Sequence, residues 1–387
     1  MTLARRAKGG LDRIVVHGAP FARGQQYGQL ARQKIRHAIE RYREVFRHRA
    51  GLEWHTALAH ARTFERGIGE FSPASLQEMR GIAEGAGVEV DAILALNCRS
   101  ELMFAAADAA GRNPPSECTA FAVLPEASEN GHTLVGQNWD WVPFAGQVCV
   151  LLEVHRDDGP GYLTVVEAGM LAKVGFNSAG LGVCTNTLVT PLERTPRGVP
   201  YHVMLRALLD AETMTEAARM LFGTERALAA NYLIAHRSGV AANFETIAGD
   251  GRNVRVTMPD RGVIAHANHF LAPEFADLDL YVTKHPHSLF RLDGMRRGLA
   301  RALPRVSVDG LREILRSHEN APDGICSHPD GKAHPLEARV TVASVIADLA
   351  LGEVWMTAGP PCRSEYERYE LRGLFDGARG SRSMASA

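Results

Sequence analysis

The first third of the chain places apolar residues at helical spacing among Gln, Arg and Glu. Between Phe21 and Arg49 apolar side chains recur every three or four residues, which predicts one long amphipathic helix. The stretch from Leu52 to Phe71 continues the helical pattern. Arginines are frequent on the polar face, but Glu40 and Glu44 are interleaved with them, so we interpret this face as solvated rather than as a nucleic-acid surface.

Two further helices are predicted before residue 105. Ser75 and Glu78 match a capping box, which predicts a helix over Leu76–Glu84 that ends at Gly85 and Gly87. An apolar helix is then expected from Asp91 to about Phe104. The following segment, Ala105 to Glu117, is rich in Gly, Asn and Pro and is predicted to be a linker.

After this linker the periodicity changes to that of strands separated by Gly, Asn, Asp and Pro turns. Strands are predicted at 119–124, 133–137, 148–155, 162–167, 171–176, 182–187, 232–236, 240–246, 254–257, 263–266, 340–346 and 354–357. Helices are predicted at 200–211, 213–222, 288–302 and 308–317. Hairpin-ordered strands with helices grouped around them predict an α+β fold in which helices cover packed antiparallel sheets.

Composition narrows the possible partners. The 387 residues include 43 basic and 44 acidic side chains, so the formal charge of −1 provides no field to attract nucleic acid or an anionic membrane. The start carries Arg5, Arg6 and Lys8 without a following apolar segment of signal-peptide length, and no stretch approaches the length of a membrane helix. We therefore expect a cytoplasmic protein that acts on small molecules.

A cysteine and an aspartate stand at the two ends of a predicted hairpin. Cys118 heads the first strand, a turn signal follows at Glu129-Asn130-Gly131, and the second strand ends in Asn138-Trp139-Asp140-Trp141. Asp140 follows Cys118 by 140 − 118 = 22 residues, a separation that suits neighbouring strands. The pattern predicts a thiol nucleophile beside a polar group that orients it, although a buried inert cysteine and an Asx-type turn are the alternatives.

Several short and uncommon motifs then follow one another in the same order as in the acyl-CoA:6-aminopenicillanic acid acyltransferase family. The chain resembles that family from about Val16 to about Pro361. These motifs are Cys118-Thr119, Gly136–Asp140, Glu167–Gly169, Lys173–Gly180 and His266–His269. The family belongs to the N-terminal-nucleophile hydrolases. The resemblance implies a four-layer αββα sandwich and a precursor that cuts itself immediately before its nucleophile. The expected products are a mainly helical chain, 1–117, and a catalytic chain, 118–387, which together form one domain.

The resemblance also assigns roles. Cys118 would be the nucleophile and, once Glu117 is cut away, its α-amine would be the base, since such an amine has a pKa of about 8. Asp140 would hold the amine or the nucleophilic residue, and Asn268 would stabilise the oxyanion. Asn186, Lys173 and Arg339 are carried as possible substrate or oxyanion contacts.

The expected activity is cleavage of a linear N-acyl amide, or transfer of its acyl group, through a thioester on Cys118. The partners would be a small-molecule amide or acyl thioester and the two chains of the precursor, with no cofactor. An acyl-CoA-dependent N-acyltransferase is the alternative enzyme.

Two departures from the family pattern leave an uncleaved, non-catalytic binding protein open as another alternative. Glu117 stands where Gly precedes the cleaved bond in the best-known member, and Ser327 stands where an arginine is common. Ser116 or Thr119 could be the cleavage nucleophile instead of Cys118.

A metal site is not expected from the sequence. No pair of cysteines has the two-residue spacing typical of zinc or redox motifs. His266 and His269 flank Asn268 and are interpreted as surface or hydrogen-bonding side chains. A metalloprotein that uses these two with Cys326 and His328 is a third alternative, which rests on scattered residues.

Overall fold

The computed structural model describes residues 3–4, 10–109, 117–193, 198–371 and 374. The strands are β1 (Leu3–Ala4), β2 (Asp12–His17), β3 (Glu117–Val123), β4 (Leu134–Trp141), β5 (Cys149–His155), β6 (Tyr162–Glu167), β7 (Val174–Asn177), β8 (Leu181–Thr187), β9 (Ala230–His236), β10 (Val240–Thr246), β11 (Val254–Thr257), β12 (Val263–His266), β13 (Val340–Asp348), β14 (Glu353–Ala358) and β15 (Glu367–Glu370). The helices are α1 (Pro20–Leu30), α2 (Arg32–Val45), α3 (Trp54–Arg62), α4 (Glu65–Phe71), α5 (Pro73–Ala86), α6 (Val90–Asn97), α7 (Arg99–Ala109), α8 (Ala145–Val148), α9 (Tyr201–Leu208), α10 (Met214–Gly223), α11 (Tyr281–Lys284), α12 (His287–Ala302) and α13 (Val308–Leu315).

The strands form two sheets. The first has the order β1-β2-β5-β6-β7-β8-β9-β10-β11, and the second has the order β12-β3-β4-β13-β14-β15. The expectation of purely antiparallel sheets is wrong at one place, since β2 and β5 pair in parallel. The chain between them passes through the helices of the first third, which is the long crossover that a parallel pair requires.

The two sheets lie face to face between helical layers. A Cβ built on Gly182 of β8 would lie 2.8 Å from a methyl carbon of Val135 on β4, so the sheets are in direct contact. On β3, Ala120 and Ala122 belong to this inter-sheet core, whereas Phe121 and Val123 pack in a second cluster with α12 and α13. Because alternate strand residues face opposite sides, β3 is covered by a sheet on one face and by helices on the other. The α+β αββα sandwich is therefore confirmed.

The long helix predicted from Phe21 to Arg49 is wrong as a single element. The structure has α1 and α2, separated at Ala31, whose φ of −97° and ψ of 8° leave the helical region. The break lets α1 cross α5 at very short distance. A Cβ on Gly24 or Gly28 would meet α5 carbonyl oxygens at 2.2 and 2.3 Å, so only glycine fits there.

The capping box at Ser75 and Glu78 is also wrong. Helix α5 begins two residues before Ser75, at Pro73, and its N-cap is Ser72, whose hydroxyl accepts the Ser75 N–H. Proline is common at the first helical position because an N–H there would have no partner within the helix, so its absence costs nothing. Glu78 lies inside the helix and forms a buried ion pair with Arg23, at 3.0 Å.

The other predicted elements are confirmed with shifted ends, and the short elements β1, α8, α11 and β15 have no counterpart in the predictions. The predicted helices 52–71 and 91–104 are each divided in two, into α3 and α4 and into α6 and α7. Of the predicted linker, residues 110–116 lie outside the described part of the chain. Within the described residues, no helix is both long enough and apolar enough to cross a membrane.

A buried polar network joins the helical first third to the first sheet. Arg99 on α7 pairs with Glu167 at the end of β6, with 2.9 Å between Nη2 and Oε2. The Tyr42 hydroxyl donates to the same carboxylate at 2.6 Å and accepts from the indole N–H of Trp141 at 2.9 Å. Removing one member of a buried pair leaves an uncompensated charge and typically costs about 3–5 kcal/mol. Segments on both sides of position 117 are thus held together by the same core.

Candidate active site

Cys118 is the second residue of β3 and is fully buried. Strand β12 pairs with β3 only over Ala120–Val123, so at Cys118 side chains take the place of a neighbouring strand. The Cys118 N–H donates to Oδ1 of Asn268 at 2.8 Å, and its carbonyl accepts from Nη1 of Arg291 at 2.8 Å and from Nδ2 of Asn186 at 3.0 Å. Three polar side chains therefore hold the backbone of this one residue.

The orientation of the Asn268 side chain is determined by its partners. Its Oδ1 accepts from Cys118 N–H and from Nη2 of Arg291, at 3.0 Å, and both of these groups can only donate. Its Nδ2 donates to the carbonyl of Thr187 at 3.0 Å, which can only accept. In the uncleaved chain Asn268 is thus an acceptor for the amide of the Glu117–Cys118 bond.

Asp140 lies beside Cys118 across the β3–β4 ladder. Cys118 is paired with Trp139, and Glu117 with Asp140. The backbone N–H of Asp140 bonds to the Cys118 thiol, and its buried carboxylate accepts from the Thr341 hydroxyl at 2.5 Å. The hairpin predicted from the sequence has therefore brought the two residues together.

The thiol is a weak acid in the uncleaved chain. Burial is the main cause that raises the pKa of Cys118 to about 11, while the nearby cation of Lys173 opposes this rise. Burial also lowers the pKa of Lys173 to about 8. Its Nζ donates to the Tyr201 hydroxyl at 3.0 Å, and that hydroxyl in turn bonds to Thr185 at 2.7 Å. Lys173 thus lies near the Cys118 thiol, whereas the Glu167 carboxylate is held by Arg99 and Tyr42.

Replacing Lys173 with methionine is expected to slow any reaction that uses the Cys118 thiolate. Below about pH 8 the lysine is charged and favours the thiolate, so its loss raises the thiol pKa further. A nearby opposite charge typically shifts a pKa by about one unit, which predicts about tenfold slower self-cleavage at pH 7. The rate should be followed by denaturing gel between pH 6 and 9, with Lys34→Met as the control. Equal rates for Lys173→Met and wild type would remove Lys173 from the activation of the thiol.

Arg291 is a site residue that the sequence analysis missed. Besides the Cys118 carbonyl and Asn268 it contacts the Thr119 hydroxyl at 3.0 Å, and it is fully buried. The available signal was its position on the apolar face of α12, where Ser288, Arg291, Leu292 and Met295 follow helical spacing. An arginine on a buried face needs a polar partner, and here that partner is the backbone of the candidate nucleophile.

The remaining candidates are Arg339, Thr119 and Ser116. Arg339 pairs with Asp323, and its Nη1 lies 3.5 Å from ring nitrogens of His285 and His287. The Thr119 side chain is buried against Arg291, and Ser116 lies outside the described residues.

The two histidines beside Asn268 are buried hydrogen-bonding groups rather than surface ones. Nε2 of His266 lies 2.7 Å from the Glu245 carboxylate, and Nδ1 of His269 lies 2.8 Å from the Ser288 hydroxyl. Their ring nitrogens therefore have partners other than Cys326 and His328, so the four residues of the metalloprotein alternative do not form one set.

An αββα sandwich with a cysteine near the head of an inner strand has the architecture of the N-terminal-nucleophile hydrolases, a class of acyl-transferring and amide-hydrolysing enzymes. The model of the family acyl-coenzyme A:6-aminopenicillanic acid acyl-transferase matches residues 127–361, which is more than half of the chain. The protein belongs to that family. The matched region contains Asp140, Asn186, Asn268 and Arg291 and begins after Cys118.

Individual relatives share a minor part of their residues with this chain. The chain is 26% identical over 331 residues to the acyl-coenzyme A:6-aminopenicillanic-acid-acyltransferase 40 kDa form of Emericella nidulans, which covers 83% of this chain and 86% of that protein. Among solved structures, a mutant form of conjugated bile acid hydrolase from Clostridium perfringens is similar at 12% identity, with a TM-score of 0.46 over 67% of this chain and 94% of the other. Penicillin V acylase from Agrobacterium tumefaciens is similar at 15% identity, with a TM-score of 0.42 over 62% and 83% of the two chains.

Proposed function

We propose that this protein is a self-processing cysteine enzyme that cuts the Glu117–Cys118 bond and then breaks a linear N-acyl amide through a thioester on Cys118. The observation that carries this proposal is the arrangement around Cys118, whose backbone N–H and carbonyl are held by Asn268, Arg291 and Asn186. The thiol itself bonds to the backbone N–H of Asp140 and has the cation of Lys173 nearby, and an inert core cysteine would require neither.

The first step is an N-to-S acyl shift. The sulfur of Cys118 attacks the carbonyl carbon of Glu117, the C–N bond breaks, and the nitrogen takes a proton to become the α-amine. Water then hydrolyses the thioester, which leaves a carboxylate on Glu117 and a free thiol. Oδ1 of Asn268 already accepts from the nitrogen that departs, so it can keep that nitrogen in place as an amine.

Cleavage also supplies the base for later turnover. In the uncleaved chain the thiol pKa is about 11, and the nitrogen of Cys118 is an amide that cannot accept a proton. The new α-amine, with an ordinary pKa of about 8, can take the thiol proton near neutral pH. Because Cys118 is fully buried before cleavage, an external acyl donor is expected to react only with the cleaved form.

In the cleaved enzyme the substrate acylates Cys118 and the amine leaves. The tetrahedral intermediate carries a negative charge that an amide N–H can stabilise, and we assign this role to the second N–H of the Asn268 amide, whose first N–H donates to the Thr187 carbonyl. Arg291 supplies a guanidinium beside Cys118. Such a group would otherwise be lacking here, since Ser327 stands where the family commonly has an arginine. Asp140 positions the nucleophile through its strand pairing and its bond to Thr341.

Water or an amine completes the cycle, and the two outcomes define hydrolase and acyltransferase. The sequence showed no basic groups that mark a coenzyme A site, so we favour hydrolysis with transfer as a side activity. The family and the relative from Emericella nidulans support the alternative, in which an acyl-CoA-type thioester donates to an amine.

An added amine is expected to divert only a minor part of the acyl group. The test supplies cleaved enzyme with phenylacetyl or short-chain acyl thioesters, with and without 6-aminopenicillanic acid, and measures acid and amide separately. When acylation limits, total turnover should stay unchanged while the product ratio shifts. Efficient amide formation at low acceptor concentration would make acyl transfer the primary activity. Turnover by a chain that stays uncleaved would contradict the N-terminal-amine mechanism itself.

A further inference from the structure

Two histidines and two cysteines from separate segments converge beside the second sheet. His318 follows α13, Cys326 and His328 lie in the loop before β13, and Cys362 lies after β14. One ligand atom of each residue lies within 4.8 Å of every other.

The distances within this cluster are those of a tetrahedral metal site. Nε2 of His328 lies 3.1 Å from Nε2 of His318, 3.3 Å from the Cys362 sulfur and 3.6 Å from the Cys326 sulfur. Zinc bonds of about 2.0–2.1 Å to nitrogen and 2.3 Å to sulfur place tetrahedral ligand atoms about 3.3–3.8 Å apart. The three distances from Nε2 of His328 are close to this range, and the other pairs of ligand atoms lie within 4.8 Å, so one ion can fit among the four.

We propose that His318, Cys326, His328 and Cys362 bind one structural zinc ion. Two imidazoles and two thiolates form a Cys2His2 set, which favours a tetrahedral borderline-soft cation over magnesium or calcium, whose preferred ligands are oxygens. Four protein ligands complete the coordination and leave no open position for water or substrate, so the ion is structural rather than catalytic.

The backbone around the cluster is already held in place. The N–H of Cys326 donates to the Ser317 carbonyl at 3.0 Å, and that of His328 to the Pro322 carbonyl at 3.1 Å. Nε of Arg316 donates to the Pro361 carbonyl at 3.0 Å, which joins the α13 end to the segment of Cys362. The ligands thus stand on segments whose relative positions do not depend on the ion alone.

The zinc site would stabilise loop residues that contact the strands beside the candidate active site. Ile325 and Ser327 flank Cys326, and their backbones contact residues on the inner strands. The Ile325 carbonyl accepts from Asn138 at 2.8 Å, and the Ser327 N–H donates to the Thr341 hydroxyl at 2.9 Å. Thr341 is the residue that donates to Asp140. Fixing Cys326 therefore restrains the adjacent Ser327, whose N–H helps to orient the Thr341 hydroxyl toward Asp140.

The test measures metal in the full chain purified without a histidine tag. Elemental analysis is expected to find about one zinc ion per chain, and His318→Asn and Cys362→Ser should lose most of it. His318 is exposed and Cys362 half-buried, so neither change should leave a cavity in the core. His334→Asn and Cys98→Ala are the controls, because neither residue belongs to the cluster. Zinc removal by a chelator should lower the melting temperature of wild type and leave that of the two ligand variants unchanged.

The metal proposal is separable from the proposed function, since a Cys118→Ala chain should bind zinc as well as wild type does. Cobalt added to the chelated protein should give thiolate-to-metal charge-transfer absorption that is strongly reduced in Cys362→Ser, which retains only the Cys326 thiolate. Zinc that is absent from wild type, or retained equally by the ligand variants, would overturn the proposal. A mass two hydrogens below that of the reduced chain, with a disulfide between Cys326 and Cys362, would also overturn the zinc site and would identify the two cysteines as a redox pair.

Discussion

A chain carrying Cys118→Ala is expected to remain a single polypeptide of 387 residues, whereas wild type should give fragments 1–117 and 118–387. The reason is that the Cys118 sulfur is the group expected to attack its own preceding carbonyl, and an alanine methyl has no nucleophilic atom. Intact-mass spectrometry after purification distinguishes the two outcomes. The variant should also show no turnover with acyl thioesters.

Two further variants make this result specific. Cys98→Ala removes another fully buried thiol and should cleave as wild type does. Cys118→Ser retains a nucleophile of lower intrinsic reactivity and should cleave more slowly, at the same bond. If the Cys118→Ala chain is still cleaved, the cleavage nucleophile would be Ser116 or Thr119 instead. A wild-type chain that never cleaves would support the non-catalytic binding protein.

The two fragments are expected to stay together after cleavage. Arg99 and Tyr42 come from the first fragment and hold Glu167 of the second inside the core. Since these contacts are buried, separating the fragments would expose a large apolar area and an unpaired charge. Both fragments should therefore elute as one species in size-exclusion chromatography without denaturant.

Asn268→Ala is expected to lower kcat for acyl-thioester hydrolysis by about two to three orders of magnitude, the usual effect of losing one oxyanion donor. The substitution also removes the acceptor of the Cys118 N–H, so self-cleavage should slow as well. Turnover should be measured on material that has been fully cleaved, with folding checked by circular dichroism. The comparison then reports on the acyl-transfer step alone.

Asn268→Asp separates the two functions of this side chain. Aspartate keeps an oxygen toward Cys118 and Arg291 but loses the Nδ2 donor. If that donor stabilises the oxyanion, the aspartate variant should be nearly as slow as the alanine variant. The matched control is Asn177→Ala, a buried asparagine that bonds the Leu209 and Ala211 carbonyls near α9. Near-normal kcat in Asn268→Asp would leave Asn268 as an orienting acceptor and remove it from the oxyanion site.

The chain order of the candidate site and the elements that carry it could be predicted from the sequence. Alternation and turn residues are local signals, so the strand of Cys118, the turn after it and the strand of Asp140 were all found. Helix junctions were harder, because the break at Ala31 depends on how α1 crosses Gly81 and Gly85 of α5, a contact between distant segments. Capping at Ser72 was missed because Ser75 and Glu78 offered a matching motif inside the helix.

Contacts between side chains far apart in sequence were decided only by the tertiary structure. The resemblance to the family left Arg339 as a candidate contact, but the fold brings Arg291 to Cys118 from 173 residues away. In the sequence Cys326 and His328 have no neighbouring metal ligands at a typical spacing, whereas the fold brings His318 and Cys362 next to them. The physical reason is that periodicity reports which face of an element is buried, whereas the partner of a buried polar group depends on how sheets and helices pack. The local pattern of the sequence determined the hairpin of Cys118 and Asp140 and the α+β class, and the resemblance to the family supplied the αββα arrangement and the candidate nucleophile. The packing of the sheets and helices decided which side chains hold that residue.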